Sequence, residues 1–557
     1  MKKFLAICLG AALVSMGCVK VDNSLGQGLI DKSLLFDTYT VEFPLTEIQL
    51  KSSDGLSGYS DTRLTIGAIR DEVFGLTTRD AAFCLVPALD TIDLGTNPVA
   101  VGFSLYFEAD TISSTSEDQA RIFQNIYVTE LTERLPQEDT RNTRDIPHGD
   151  ELITDGLPIY NGSGPLSFKF SREFAQKYVD AVKELGPVLR DHAADTEEEQ
   201  GLSRYDDFLE RLPGIYLSTD SPDGLGGRIN LFNFSCLSVS NNYYTRNNNL
   251  GRLTVNSTWN GVQKDSTFLF IPGEPEFYDE NYYTNNNLKF YQYCFNRTSQ
   301  STQPGPATDK ILVEGGGGLK PVILASELQD KTVAAILEKG GDPEKAVIIK
   351  ATIVLPYEQP QDYTRMNFFP SVLSPTLCIA TTDEESGQEY LSFAGLTDAS
   401  VQTENQGNID RSNLRYSPDI TYHMQELLGR EDLDTKTDAD IWLLTIHSQQ
   451  VANANGSLYD DDYYRQLMYA SYYSSLYGGG YGGYGGYGYG SYGGYGGYGY
   501  SNYYNYMMLA QMMSASQQQT YTTTTELDKD RYYCAVLNGP DDERCPKFVV
   551  TFAVPKE

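Results

Sequence analysis

Strict alternation of apolar and polar residues restricts this chain more than any other feature. Tyr39, Val41 and Phe43 alternate with Thr38, Thr40 and Glu42, and Val101, Phe103, Leu105 and Phe107 alternate with Gly102, Ser104 and Tyr106. Side chains of a strand point to opposite faces in turn, so this spacing predicts strands with one face buried; a helix would repeat its apolar residues every three to four positions. Residues 123–131, 215–218, 231–239, 267–271, 347–355, 441–447 and 548–554 predict further strands, most of them bounded by Gly, Asn, Asp or Pro clusters. Helical signals are few. Ser171 caps a stretch with Phe174, Tyr178, Val182 and Leu185 on one face, stopped at Gly186-Pro187. Ser326 and Gln329 form a capping box ahead of Leu328, Val333, Ile336 and Leu337, with Gly340-Gly341 as the stop, and a third helix runs from Thr421 to Leu428 before Gly429. Long series of strands with isolated short helices predict a mainly β fold of antiparallel β-sandwich, jelly-roll-like architecture. Two sandwich units are expected, divided between Pro304 and Leu319. The first covers 36–304 with a helical insertion near 171–212, and the second covers 305–557 with an insertion at 477–500.

The first residues give an address. Lys2 and Lys3 precede an apolar run over 4–16, long enough for a signal-peptide core and too short to span a bilayer comfortably. The run ends in Ser15-Met16-Gly17-Cys18, which resembles the lipobox of bacterial lipoproteins. That resemblance implies a signal peptide over 1–17, lipidation of Cys18 and a tether over 18–35, with acyl chains as a stable membrane anchor. Val19-Lys20-Val21-Asp22-Asn23 resembles the surface-export signal of Bacteroidota lipoproteins. An outer-membrane location follows, with the periplasmic and extracellular faces both open.

Charge narrows the partners. The chain has 42 Lys and Arg against 75 Asp and Glu, a net charge of −33, and only four histidines. Phosphate backbones are recognised by clustered cations, so nucleic acid is disfavoured, as is a histidine-built metal enzyme. No cofactor is expected. Removing 1–17 leaves 40 − 75 = −35, so the lipid holds the membrane while the acidic body stays in water. An exported compartment permits disulfides. Cys534 and Cys545 flank the turn-rich Asn538-Gly539-Pro540-Asp541-Asp542, and a hairpin there would place them opposite one another as a disulfide.

Several blocks in order then resemble an uncharacterised Bacteroidota lipoprotein family, known as a domain of unknown function. They are Leu64-Thr65-Ile66-Gly67 with Asp71-Glu72-Val73-Phe74-Gly75 and Ala82-Phe83, Pro213-Gly214-Ile215-Tyr216, residues 315–322, 347–356 and 422–428, and the closing Pro546-Lys547-Phe548-Val549-Val550-Thr551-Phe552. The resemblance implies a location and an all-β fold, and carries no catalytic residue.

Gly315-Gly316-Gly317-Gly318-Leu319-Lys320 lacks the Gly-Lys-Ser/Thr that opens the helix of a phosphate loop, so a strand connection is expected. Asp432, Asp434, Asp438 and Asp440 offer oxygen ligands for Ca²⁺, but Lys436 interrupts them and a solvated loop is favoured. His148, His192, His423 and His447 have no metal-ligand spacing. Two loops share a pattern: Asn242-Tyr243-Tyr244-Thr245 leads to Asn247-Asn248-Asn249, and Asn281-Tyr282-Tyr283-Thr284 to Asn285-Asn286-Asn287. Tyr faces stack on sugars while Asn amides bond hydroxyls, making Tyr243, Tyr244, Tyr282 and Tyr283 candidate glycan contacts beside the plainer reading as hairpin ends. The 477–500 stretch is almost wholly Gly and Tyr, without core-forming residues, and reads as a loop for multivalent contact or a repeat expansion. The leading expectation is a non-enzymatic, lipid-anchored outer-membrane protein with a binding or envelope-assembly role and a protein or glycan partner. The alternatives are a glycan-binding or fimbrillin-like adhesin, and a β-rich glycoside hydrolase with paired carboxylates.

Overall fold

The computed structural model describes residues 36–53, 56–60, 63–88, 92–110, 122–136, 139–186, 203–235, 237–240, 243–246, 248–273, 293–382, 389–398, 406–433, 436–452 and 521–556. Cys18, Tyr282, Tyr283, His192, Asp434 and the 477–500 repeat lie outside them. The fold is mainly antiparallel β, of sandwich architecture, with a few short helices and no closed barrel among the described residues.

In the first unit a nine-stranded sheet runs Ile159–Tyr160, Gln124–Leu131, Ile215–Thr219, Gly75–Phe83, Cys294–Gln300 and Tyr59–Ser60, with Arg63–Asp71, Gly226–Asn233 and His148–Leu152 branching from it. A five-stranded sheet runs Leu166–Phe170, Thr96–Phe107, Gly251–Trp259, Val262–Pro272 and Leu85–Pro87. One apolar core joins Phe83, Ile126, Val128 and Leu217 of the larger sheet to Phe103, Leu105, Leu253 and Phe270 of the smaller. The alternation read from sequence is thus the alternation between this core and the outside for Phe103, Leu105 and Phe107, whereas Val101 is exposed because the register shifts between Gly102 and Ala100 and turns Ala100 inward instead. Helix α1 (Arg172–Leu185) starts where Ser171 Oγ accepts the Phe174 N–H at 3.1 Å and stops at Gly186, which takes a positive φ. Its Phe174, Tyr178 and Val182 enter the same core, the Tyr178 ring 5.0 Å from that of Phe103. Phe208 of α2 (Ser203–Arg211) joins them.

The second unit also pairs two sheets. One runs Phe36–Pro44, Lys547–Pro555, Val347–Pro356, Arg415–Tyr416 and Ile409–Asp410; the other runs Gly305–Pro306, Ile48–Ser52, Leu319–Ile323, Ile441–Ala452, Val372–Thr382 and Glu389–Gly395, with Tyr521–Leu527 on the flank of Ile441–Ala452. Helices α3 (Ala325–Glu338) and α4 (Thr421–Leu428) contribute Leu328, Ile336, Met424 and Leu427 to its core.

The expected division of the chain needs correction. Phe36–Pro44 pairs along its whole length with Lys547–Pro555, Tyr39 opposite Phe552, and Ile48–Ser52 pairs with Leu319–Ile323. The first two strands therefore belong to the second unit. Alternation identifies a strand but not its partner, and these partners lie hundreds of residues away. The capping box is also corrected: α3 begins at Ala325 after Leu324, and the Ala325 N–H donates to Asp440 Oδ1 at 3.0 Å, leaving Ser326 inside the helix. The units meet at a third apolar cluster, where Ile69, Phe74, Ile229 and Leu231 of the first touch Phe368, Tyr532 and Cys534 of the second. Arg365 and Asp71 add an ion pair of 2.7 Å across that junction.

Candidate functional site

Beside the apolar junction the units share a buried charged seam. The strand Gly75–Phe83 carries Thr77 and Arg79 in register with Gln300 and Thr298 of Cys294–Gln300. The Gly315–Gly318 turn between Lys310–Glu314 and Leu319–Ile323 packs onto them, as does the segment 528–533. A Cβ on Gly316 would collide with the Arg79 guanidinium, and one on Gly317 would lie 2.8 Å from Asn142 Oδ1, which is why this turn is built of glycine. Gly316 also takes φ +58°, a conformation that glycine adopts without strain.

Charges in the seam are held by named partners. Lys320 Nζ donates to the carbonyls of Glu314 at 2.5 Å, Gly318 at 3.1 Å and Gly316 at 3.2 Å. Burial draws its ammonium down to about 7, opposed by the Glu314 charge. Glu314 accepts from the Leu319 N–H at 3.0 Å and from the Thr302 hydroxyl, and burial raises its pKa. Asp528 takes the Tyr533 hydroxyl at 2.8 Å and pairs with Arg531 at 3.2 Å. Lys529 donates to the carbonyls of Ser57 and Tyr59, and Arg63 pairs with Asp110 at 2.7 Å. Asp530, raised by burial, accepts from Ser60 at 3.4 Å and Asn296 at 3.5 Å. Arg79 is fully buried, and its Nε and Nη2 have no hydrogen-bond partner; those of Arg531 have none either, but Arg531 pairs with Asp528, whereas Arg79 forms no ion pair among the described residues.

A second polar network covers part of the other face of that sheet. Burial raises Asp80, which bonds the Tyr216 hydroxyl and pairs with Arg297 at 3.2 Å; Arg297 also pairs with exposed Asp145. The exposed His148 ring stacks on Tyr216 at 3.9 Å and 8°. The outward face of the smaller sheet is a surface of a different kind. Its cross-strand rows are Lys169, Ser104 and Arg252; Gly102, Thr254 and Thr267; and Val99, Asn256 and Asp265. Thr254 and Thr267 hydroxyls lie 3.2 Å apart, and Asn256 donates to Asp265 at 2.6 Å.

The residues singled out from sequence are dispersed. Cys534 and Cys545 are thiols and form no disulfide. The expected hairpin does not form, because Cys534–Asn538 pairs with Lys310–Glu314 while Lys547–Pro555 pairs with Phe36–Pro44 and Val347–Pro356. Buried among Phe74, Phe368 and Tyr532, the Cys534 thiol is pushed up to about 12. Tyr243 and Tyr244 fall in a strand, Tyr243–Arg246, paired with Leu237–Ser240. Tyr282 and Tyr283 lie outside the described residues, so the two loops are not brought together here. Asn249 is a structural amide: it donates to Asn233 and Ser235 carbonyls, both at 2.9 Å, and accepts the Glu108 N–H at 2.8 Å. In the acidic run, Arg430 bonds Asp432 and Asp438, Lys436 pairs with Asp432, and Asp440 caps α3, so these carboxylates neutralise cations or hold a helix. No metal-holding cluster occurs among the described residues. His423 is buried, its Nε2–H donating to the Ala439 carbonyl at 3.1 Å, and burial lowers it to about 4.

Sequence reading missed Arg79 and the 528–533 segment. The available signals were Arg79-Asp80 directly before the apolar Ala81-Ala82-Phe83 and the alternating charges of Asp528-Lys529-Asp530-Arg531. No family model, curated protein or solved structure matches the chain.

Proposed function

We propose that this chain is a lipid-anchored outer-membrane lipoprotein of Bacteroidota type that acts by binding a protein or glycan partner at the envelope, without catalysis. The observation that carries the reading is the N-terminal sequence, Lys2-Lys3, then the apolar run over 4–16, then Gly17-Cys18. The fold is compatible with it. Phe36–Pro44, the first described strand, lies on the edge of its sheet, and residues 19–35 give at most roughly 60 Å of extended chain between Cys18 and that strand. A binding role draws support from where the reactive groups point. His423, Lys320 and Asp528 are committed to the protein's own backbone and side chains, whereas the outward rows around Ser104, Arg252, Thr254 and Asn256 offer hydroxyls, an amide and a guanidinium to a partner. Such groups bond sugar hydroxyls or peptide backbone alike.

The experiment is capture from intact cells by cross-linking, comparing wild type with Cys18→Ala and with Arg252→Glu/Asn256→Ala. The reading expects the first variant to leave the membrane fraction. It expects the second to stay there and lose the captured partner. Membrane retention of Cys18→Ala overturns the anchor, and an unchanged capture profile for the second variant overturns the binding face.

A further inference from the structure

The seam between the units contains one guanidinium, that of Arg79, which forms no ion pair among the described residues. Arg63 pairs with Asp110 and Arg531 with Asp528. Lys320 is taken up by the carbonyls of its own turn, those of Glu314, Gly316 and Gly318. Lys529 faces Asp530 as its counter-charge. Arg79 has no such pair, although Asp530, Asp528 and Glu314 act on it through space.

The unpartnered atoms of Arg79 are informative in kind. Nε and Nη2 share one edge of the guanidinium, and two parallel N–H groups on one edge are the fork that grips an oxyanion. Burying such donors without partners is unfavourable, the more so when they are charged. Next to the guanidinium lies Gly316, with φ +58°. The N–H groups of Gly316 and Gly317 are buried and take no hydrogen-bond partner among the described residues, and successive main-chain N–H groups around a left-handed residue form an anion-binding concavity. Thr298, opposite Arg79 in the strand ladder and in contact with Gly317, has a buried hydroxyl that is also unpartnered. The carbonyls of the same turn are turned elsewhere, to Lys320 and to Ser53, whose Oγ donates to Gly316 at 2.9 Å and to Gly318 at 3.1 Å. Acceptors therefore face Lys320 and Ser53, and the remaining donors belong to Arg79 and the turn's amides.

We propose that the seam is a binding site for a small inorganic oxyanion of the phosphate or sulfate class, held by the Arg79 fork, the Gly316 and Gly317 amides and the Thr298 hydroxyl. The site differs from a nucleotide phosphate loop. No helix follows the glycines, and Lys320 binds the turn's carbonyls rather than the ligand. Because Arg79 and Thr298 come from the first unit and the glycines from the second, the anion ties the two units together. Its binding shifts stability by mass action.

The test uses the full-length chain in detergent at pH 7.5, dialysed free of phosphate and sulfate. Thermal unfolding is followed against inorganic phosphate, then sulfate, with sodium chloride holding the ionic strength constant. In parallel, denatured protein is assayed by ion chromatography for anion that co-purified. The proposal expects either a saturable rise in melting temperature or about one oxyanion released per chain. Arg79→Lys, which keeps the charge and removes the fork, should raise the half-saturating concentration at least tenfold or abolish the retained anion. Thr298→Val, nearly equal in shape, should raise it several-fold and serves where Arg79→Lys does not fold. A wild type with neither a saturable shift nor retained anion overturns the proposal. So does a response equal in wild type and both variants, or one reproduced by chloride alone.

Discussion

Protonation of His423 gives the clearest magnitude. The ring is buried in α4 with its Nε2–H on the Ala439 carbonyl, and Arg430 opposes a second positive charge nearby. The native histidine stays neutral down to about 4, while the unfolded chain titrates at its ordinary 6.5. Between those values the unfolded state binds more protons, so stability falls as the pH drops through 6.5 and levels off below about 4. The separation corresponds to roughly 3 kcal/mol, a large share of a typical domain's stability. Asp398, which accepts the His423 N–H at 2.9 Å and is raised by burial, pulls the other way, so the wild-type curve alone is composite. His423→Gln isolates the term, since its amide can donate to Ala439 but does not titrate. In a Trp259→Phe background, buried Trp442 reports urea unfolding of the second unit. The advantage of wild type over His423→Gln should shrink by about 3 kcal/mol between pH 7.5 and pH 4. A difference constant to within about 0.5 kcal/mol across that window, a third of a pKa unit, would refute the reasoning.

Two further outcomes follow from single side chains. Lys320→Met takes away the ammonium that binds the carbonyls of Glu314, Gly316 and Gly318, leaves Arg79 as the cation acting on Glu314, and should cost about 1–3 kcal/mol in urea unfolding; because the native ammonium is drawn down to about 7 from 10.5, the advantage of wild type over this variant should grow as the pH rises from 7 to 10. Asp440→Ala removes the acceptor of the Ala325 N–H at the start of α3 and should cost about 1 kcal/mol by the same assay, with Asp440→Asn recovering most of it.

What the sequence made legible and what it left hidden divide along range. Strands such as Val347–Pro356 and Lys547–Pro555 and the helices at Arg172–Leu185 and Thr421–Leu428 follow from residues a few positions apart, because period and local caps decide them. The pairing of Tyr39 with Phe552 and the cap that Asp440 gives to Ala325 depend on residues brought together only by the fold. The seam was hidden for a related reason. Alternation sorts a strand into a wet and a dry face, and Arg79 reads as wet until the Gly315–Gly318 turn and residues 528–533 are seen covering it. The Cys534–Cys545 expectation treated a turn-rich linker as a hairpin, whereas its two strands enter different sheets.

The most direct test of the account is the mass of the N-terminal peptide from protein extracted from its native membrane. The expected result is a chain beginning at Cys18 that carries the mass of a diacylglyceryl group, with or without an additional N-acyl chain. A mature chain that begins elsewhere, or begins at Cys18 without acyl mass, contradicts it.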